Sequence, residues 1–572
     1  MILTDDQGYG DLSCHGNPIL KTPALDKLHD ESVRFTDFHV SSICTPTRGQ
    51  ILTGRDACRN GAFAWAYSRE TIHTDVPVMP EIFKTNGYAT GHFGKWHLGD
   101  NYPFRPIDRG FDESIKFGGA SVAQTPDYWA NDNVDDWYEH NGVMKQYKGY
   151  CTDVWFEEAK KFMAKSNRKG KPFFVYLPLN APHEPLIVPA QYSAPYLAKL
   201  DKGYTPEPEF LNSMDNNKHI SEFYGMIASI DENVAKLDSF LKENGLFENT
   251  IVIYMTDNGG TGGVRVFNSG MRGKKGSLYD GGHRVPYFIR WPKENFTPRD
   301  VGALAHAQDI FPTLIDFCKL TAKKEGFDGV SLAEIIRGKV DTIPDRILVM
   351  QNSKDPTATK YNATVMFNKW RLVGNAELYN IEKDPGQKDN VARQHPEIFE
   401  KLKQHYEEWW KQIQDPLNKI PYFPVGDKNC SSITLTCFDW YGFEGAGNLT
   451  IQNTVREGKS LNGFWNIEIV EDGEYEILCS RWPKEAQTPL VSDVPEHKTL
   501  TVTYPRGIAL PIAYCEVQID NQKQLIDIKK SDLFSATSQQ LKRGKYKLRA
   551  TFLDLDKKPI CGSYYVYINR IK

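Results

Sequence analysis

No run of apolar residues in this chain is long enough to cross a bilayer as a helix, so membrane insertion is not expected. No lysine- and arginine-rich run or stripe stands out, and with a net charge of −4 nucleic acid is not an expected partner. The ten cysteines contain no CxxC pair and no Cys/His spacing of the zinc-finger kind, which argues against a structural zinc site. Cys430 and Cys437 are close enough in sequence for a local disulfide, yet two buried thiols are the plainer expectation. Low-complexity tracts are missing too. What is there, 40% hydrophobic and 25% charged residues over 572 positions, describes a globular protein with a large core and about two to four domains.

The segment CTPTRGQILTGR, Cys44 to Arg55, sets a cysteine at what reads as a helix start, with an arginine four residues on. Pro46 suits a first helical turn, and the free N–H groups there favour an anion, so an anion-handling nucleophile is expected. Asp5 and Asp6 close one apolar strand, Asp257 and Asn258 close another, and glycines follow both pairs. In open parallel sheets ligands gather beyond the carboxyl ends of strands, so the two pairs are placed to converge. Four oxygen-bearing side chains without histidine describe a hard-cation site, calcium rather than zinc, with magnesium as the alternative.

Cys44, Pro46 and Arg48, with the tail Leu52, Thr53, Gly54 and Arg55, resemble the signature of type I sulfatases, the formylglycine-dependent, arylsulfatase-like members of the alkaline phosphatase superfamily. Four further segments strengthen the resemblance: TDDQGYGD near the start, GKWHLG at Gly94 to Gly99, APHEP at Ala181 to Pro185 and TDNGG at Thr256 to Gly260. The resemblance implies that a maturation enzyme oxidises Cys44 to formylglycine. It also implies that residue 44 joins Asp5, Asp6, Asp257 and Asn258 around a divalent cation, Ca2+ or Mg2+. A soft thiolate is a poor partner for a hard cation, whereas the hydroxyls of an aldehyde hydrate are good ones, so ligand chemistry agrees.

By the same resemblance Arg48 braces the hydrated aldehyde, and Lys95 and Lys275 bind sulfate oxygens, with Lys274 an adjacent competitor. His97 draws a proton from the formylglycine hydroxyl so that sulfate is expelled, and His183 protonates the leaving oxygen. His283, in GGHRVP just after the Lys275 loop, is expected to approach substrate. The aromatic and acidic stretch from Phe117 to Tyr150 offers Trp129 and Trp137 as faces for a sugar ring. The implied activity is hydrolysis of a sulfate ester, on a carbohydrate rather than a steroid or lipid. The rival readings are a phosphonate or phosphodiester hydrolase on the same scaffold and a glycan-binding protein without catalysis.

Strand-like runs such as PFFVYLPL and TIVIYMTD alternate with helical patterns through residues 1–345, which predicts an α/β domain with a large mixed, mainly parallel sheet flanked by helices. Ile220, Phe223, Ile227, Ile230, Val234, Leu237 and Leu241 recur at helical spacing, with Gly245 as a stop. Residues 346–425 read as a small antiparallel sheet with a packed helix, and 428–572, where alternation takes over, as an appended β-sandwich. The Pro/Gly-rich run 420–427 reads as the link, and the sandwich aromatics as core rather than a sugar site. Met1 to Thr4 look like the last part of a strand, since relatives usually carry more residues upstream. The expected location is periplasmic or secreted, with the export signal absent from this sequence.

Overall fold

The computed structural model describes residues 1–204, 216–322, 326–353, 356–445, 451–499 and 503–572. Among the described residues, ten strands form one mixed sheet in the order 299–301, 33–35, 287–290, 252–256, 2–4, 173–178, 89–93, 113–116, 137–140 and 143–146. The five strands from 252–256 to 113–116 run parallel to one another, and those at both sides of this block reverse direction. Parallel strands covered on both faces read as continuous apolar runs, and the alternation of their side chains divides them between two cores. Ile2, Leu177 and Tyr254 enter the core beneath the helices Cys151–Arg168 and Asn217–Glu243. Leu3, Tyr176, Ile253 and Met255 enter the core on the opposite face, with the helices Cys44–Thr53 and Ile310–Cys318. All seven apolar residues of the predicted helix are buried in Asn217–Glu243.

Next in the chain, Ile347–Gln351, Ala363–Phe367, Trp370–Val373 and Glu377–Asn380 form an antiparallel sheet covered by the helix Pro396–Gln412. The C-terminal region packs two further sheets face to face, one built on Asn462–Ile469 and Gly544–Leu553, the other on Gly473–Ser480 and Tyr565–Arg570. Trp440, Trp465 and Trp482 are fully buried in the hydrophobic core of this region. One segment read as a link is a strand: Phe423–Val425 pairs in parallel with 467–469. Pro424 disguised it, because proline is tolerated only where a strand's N–H is not needed. All ten cysteines are free thiols, including Cys430 and Cys437.

Candidate active site

Four neighbouring parallel strands deliver the predicted residues to one edge of the sheet. Ile2–Thr4 ends in Asp5 and Asp6, Val252–Thr256 in Asp257 and Asn258, Ala89–Phe93 leads to Lys95 and His97, and Phe173–Pro178 leads to His183. Backbone bonds lock these ends together: Asp257 N–H donates to Thr4 O at 3.1 Å, Asp5 N–H to Ala181 O at 3.1 Å and Lys95 N–H to Pro178 O at 2.7 Å. The last contact requires Gly94, whose φ is +123° and whose added Cβ would lie 2.1 Å from Pro178 O. Asp6 and His97 hold left-handed φ values of 70° and 57°, which non-glycine residues seldom adopt.

Cys44 opens a helix in which every residue is buried, and its N-cap, Ile43, offers no side-chain bond to the free N–H groups. Its Sγ stands 3.4 Å from Asp5 Oδ1 and 3.5 Å from Lys275 Nζ. Burial, then the charge of Asp257, pushes the thiol far above its ordinary range, so unmodified Cys44 keeps its proton. Three carboxylates face three cations: Lys95 Nζ is 2.6 Å from Asp5 Oδ2, Lys275 Nζ 2.5 Å from Asp6 Oδ1, and Arg48 Nη2 2.7 Å from Asp257 Oδ2. Arg48 adds Nε to the same oxygen at 3.0 Å and Nη1 to Lys95 O at 3.0 Å. Lys275 is aimed by its backbone, since its N–H donates to Gly260 O and the next N–H to Ser42 O, while Lys274 points to solvent.

Burial and then the charge of Asp5 raise the Asp257 carboxyl to about 6. Asp6 stays well below the carboxylate range because Lys275, and less so His183, outweigh the effect of burial. Asn258 donates Nδ2 to Asp6 Oδ1 at 2.9 Å, while its buried Oδ1 has no partner. Crowded carboxylates beside an orphaned amide oxygen are a donor set that fits a hard divalent ion. Asp5, Asp6 and Cys44 also form a group with His183, all four ligating atoms lying within 4.8 Å of one another.

The two histidines present opposite ring atoms. His97 Nε2 lies 2.7 Å from Trp65 O, and since a carbonyl only accepts, that nitrogen carries the proton. Nδ1 of His97 is then a bare, buried acceptor, kept neutral by burial and by Lys95. His183 Nδ1 donates to Glu184 O at 2.5 Å, leaving Nε2 facing the pocket 3.8 Å from Asp6 Oδ2. Burial, then Lys275, lowers His183 to about 4.

Two predicted substrate contacts lie elsewhere. His283 is fully buried, its Nδ1 2.8 Å from His39 Nδ1 and its Nε2 3.2 Å from Leu278 O. It belongs to an internal network in which Arg371 reaches Asp37, Asp280 and His39, so it does not approach substrate. Trp129 packs against Arg456 and Trp482 of the C-terminal region, at 4.6 and 5.8 Å, and is a domain contact rather than a sugar face. Trp137 is 37% exposed and stacks on Tyr128 at 5.2 Å. Sequence reading missed Phe438, whose ring stands 6.2 Å from that of His97 and 6.3 Å from that of Trp65. Phe438 lies 341 positions after His97, so no local signal pairs them.

A sheet of this order with its charged edge at the strand carboxyl ends defines the alkaline phosphatase-like sulfatase fold, and structural neighbours share it. The chain belongs to the Sulfatase family, whose model matches residues 1–319, and is a sulfuric ester hydrolase. It is 27% identical over 461 residues to the uncharacterized sulfatase YdeN of Escherichia coli, covering 70% of this chain and 78% of that one. It is 29% identical over 363 residues to the N-acetylgalactosamine-6-sulfatase of Canis lupus familiaris, covering 59% of this chain and 65% of the relative. Among solved structures, Ps i-CgsB in complex with k-i-k-neocarrahexaose is similar with a TM-score of 0.62 and 28% identity, covering 73% of this chain and 93% of the other. No helix among the described residues is long and apolar enough to cross a membrane.

Proposed function

We propose that the protein removes sulfate from a sulfated carbohydrate, using a formylglycine made from Cys44 by a maturation enzyme and a calcium ion held by Asp5, Asp6, Asp257 and Asn258. The observation that carries this reading is the setting of Cys44, a protonated, buried thiol wedged between Asp5 and Lys275 at a helix start. A thiol there is neither a good nucleophile nor a good ligand for a hard ion, whereas an oxygen-bearing side chain is both. Magnesium is the alternative occupant. When bound, the cation would supply positive charge that eases proton loss from a hydroxyl of residue 44.

The chain's own groups do the rest. Lys95 and Lys275, now paired with Asp5 and Asp6, are placed to bind the sulfate oxygens, and a cation held by those carboxylates would free both ammonium groups for that role. Arg48, locked to Asp257, braces residue 44. His183 would act as the acid only after Nε2 takes up a proton from solvent, favoured when a sulfate ester brings negative charge beside it, and would then pass that proton to the departing sugar oxygen. His97 accepts a proton on its bare Nδ1 from the hydroxyl of residue 44 as sulfate leaves. Trp137, stacked on Tyr128, offers a face for a sugar ring. A carbohydrate substrate is supported by the names of the similar proteins, one an N-acetylgalactosamine-6-sulfatase and one seen with a neocarrahexaose.

The test is turnover of an aryl sulfate, an aryl phosphate and a panel of sulfated mono- and disaccharides by the matured protein and by Cys44→Ala. Sulfate release from at least one sugar, preference for sulfate over phosphate and loss of turnover in Cys44→Ala are expected. Near-full sulfatase activity in Cys44→Ala would refute the nucleophile, and preference for the phosphate would favour the phosphonate or diester hydrolase reading.

A further inference from the structure

Away from the catalytic edge, Cys14, His15 and His29 bring one ligating atom each to within 4.8 Å of one another. The first two sit in the turn Ser13–His15 and the third near the end of the helix Pro23–Asp30. The turn and the helix are tied by Asp26, which accepts from Cys14 N–H at 2.9 Å, Ser13 Oγ at 2.6 Å and Thr22 Oγ1 at 2.9 Å.

The tautomers are set for ligation. His15 Nδ1 lies 2.7 Å from Tyr9 O and His29 Nδ1 lies 2.9 Å from Asp30 Oδ1, so both Nδ1 atoms donate and both Nε2 atoms keep free lone pairs. A carbonyl or carboxylate behind the far nitrogen is what fixes imidazoles that bind metals. The rings are also held from the side, His15 stacked on Tyr9 at 4.1 Å and both histidines edge-on to Phe288 at 5.7 and 5.3 Å. Burial keeps His15 neutral, which a ligand must be. All three side chains are partly exposed, so an ion has a route in.

We propose that Cys14, His15 and His29 bind a borderline transition-metal ion of the zinc class, at a site separate from the catalytic cation. One sulfur and two imidazole nitrogens are donors that zinc prefers and calcium avoids, so the two sites sort cations by softness. Binding breaks the Cys14 S–H bond, forms a metal–sulfur bond and releases one proton to solvent, with no change of oxidation state. The dipositive ion and one thiolate leave one positive charge, which Asp26 and Asp30 lie beside. Motif spacing hid this site, because a contiguous Cys-His pair and a histidine one helix later match no zinc-finger pattern.

The test uses the full-length protein stripped by chelator, returned to excess Ca2+ and titrated with ZnCl2. About one zinc per chain is expected to remain by elemental analysis, with Cys14 protected from maleimide alkylation while Cys318 and Cys430 react as before. Cys14→Ser and His29→Ala are each expected to weaken zinc binding about 10- to 100-fold and leave sulfatase turnover unchanged, whereas Asp5→Asn abolishes turnover and leaves zinc bound. Zinc stoichiometry untouched by both Cys14→Ser and His29→Ala, or equal alkylation of Cys14 with and without zinc, overturns the site.

Discussion

Replacing Arg48 by methionine isolates the interaction on which the pocket's geometry depends. Arg48 and Asp257 are both fully buried, and two guanidinium nitrogens, at 3.0 and 2.7 Å, bond one carboxylate oxygen. Removing one member of such a pair leaves an uncompensated charge and costs about 3–5 kcal/mol, a large share of the roughly 5–15 kcal/mol that holds a domain together. Urea unfolding of chelator-treated Arg48→Met, followed by tryptophan fluorescence, should show that loss at pH about 8. The double variant Arg48→Met with Asp257→Asn should recover on the order of 2 kcal/mol, since the stranded charge is gone.

The pH dependence fixes the cause. Burial and the charge of Asp5 raise the folded pKa of Asp257 to about 6 from its ordinary 3.8, and loss of the guanidinium raises it further. Between those values the folded chain holds a proton that the unfolded chain has released, so stability falls as pH rises through that window. The deficit of Arg48→Met relative to the parent should therefore grow from about pH 5 to pH 8, and that of the double variant, which has no carboxyl at 257 to titrate, should shrink by about 1 kcal/mol over the same range. Other titrating groups cancel in the comparison. A deficit below about 1 kcal/mol, or one independent of pH, would refute the claim that Arg48 neutralises a buried carboxylate.

Lys275→Ala should lower kcat/KM by about 10²- to 10³-fold, and Lys274→Ala should leave it unchanged; equal effects would remove the assignment of Lys275 to sulfate. His183→Gln should lose about 10²- to 10⁴-fold on a sugar sulfate and far less on nitrophenyl sulfate, whose phenolate departs without a proton. Equal losses on both would contradict the general-acid role. Exhaustive chelation should abolish turnover, with Ca2+ or Mg2+ restoring it, and unchanged activity after chelation would dismiss the cation. Phe438→Ala should lower kcat with little change in KM, because it frees the His97 ring without touching the sulfate contacts; an unaltered kcat would separate the C-terminal region from catalysis.

Much of this was legible in the sequence because the residues obey local rules. Asp5, Asp6, Asp257 and Asn258 follow apolar runs directly, and a strand's end fixes where the next side chain goes. Contacts between distant segments were not legible. The nearness of His283 to Lys275 in sequence says nothing about direction, and the ring turns inward because His39 and the Arg371 network receive it. Trp129 sits among acidic and aromatic residues that suggest a sugar platform, yet its partners Arg456 and Trp482 lie more than three hundred residues away. The choice between Lys274 and Lys275 needed the backbone bonds to Gly260 and Ser42, which no composition or spacing encodes.

The C-terminal sandwich bears on catalysis through packing. A tethered binding module would touch its neighbour loosely, but here Tyr67 N–H donates to Phe438 O at 3.3 Å and Ser68 Oγ to Asp439 O at 2.8 Å, behind the carbonyl of Trp65 that fixes the His97 tautomer. Gln452, buried from the same region, accepts from Ala130 N–H at 3.0 Å and donates to Gln124 O at 3.1 Å, closing the loop that precedes Trp137. The sandwich's largest aromatics, Trp440, Trp465 and Trp482, are all enclosed and present no face to a glycan. Its contribution is therefore rigidity: it holds the His97 ring and the loop that leads to Trp137, so under the proposed mechanism both the proton acceptor and the sugar face rest on the region outside the family match.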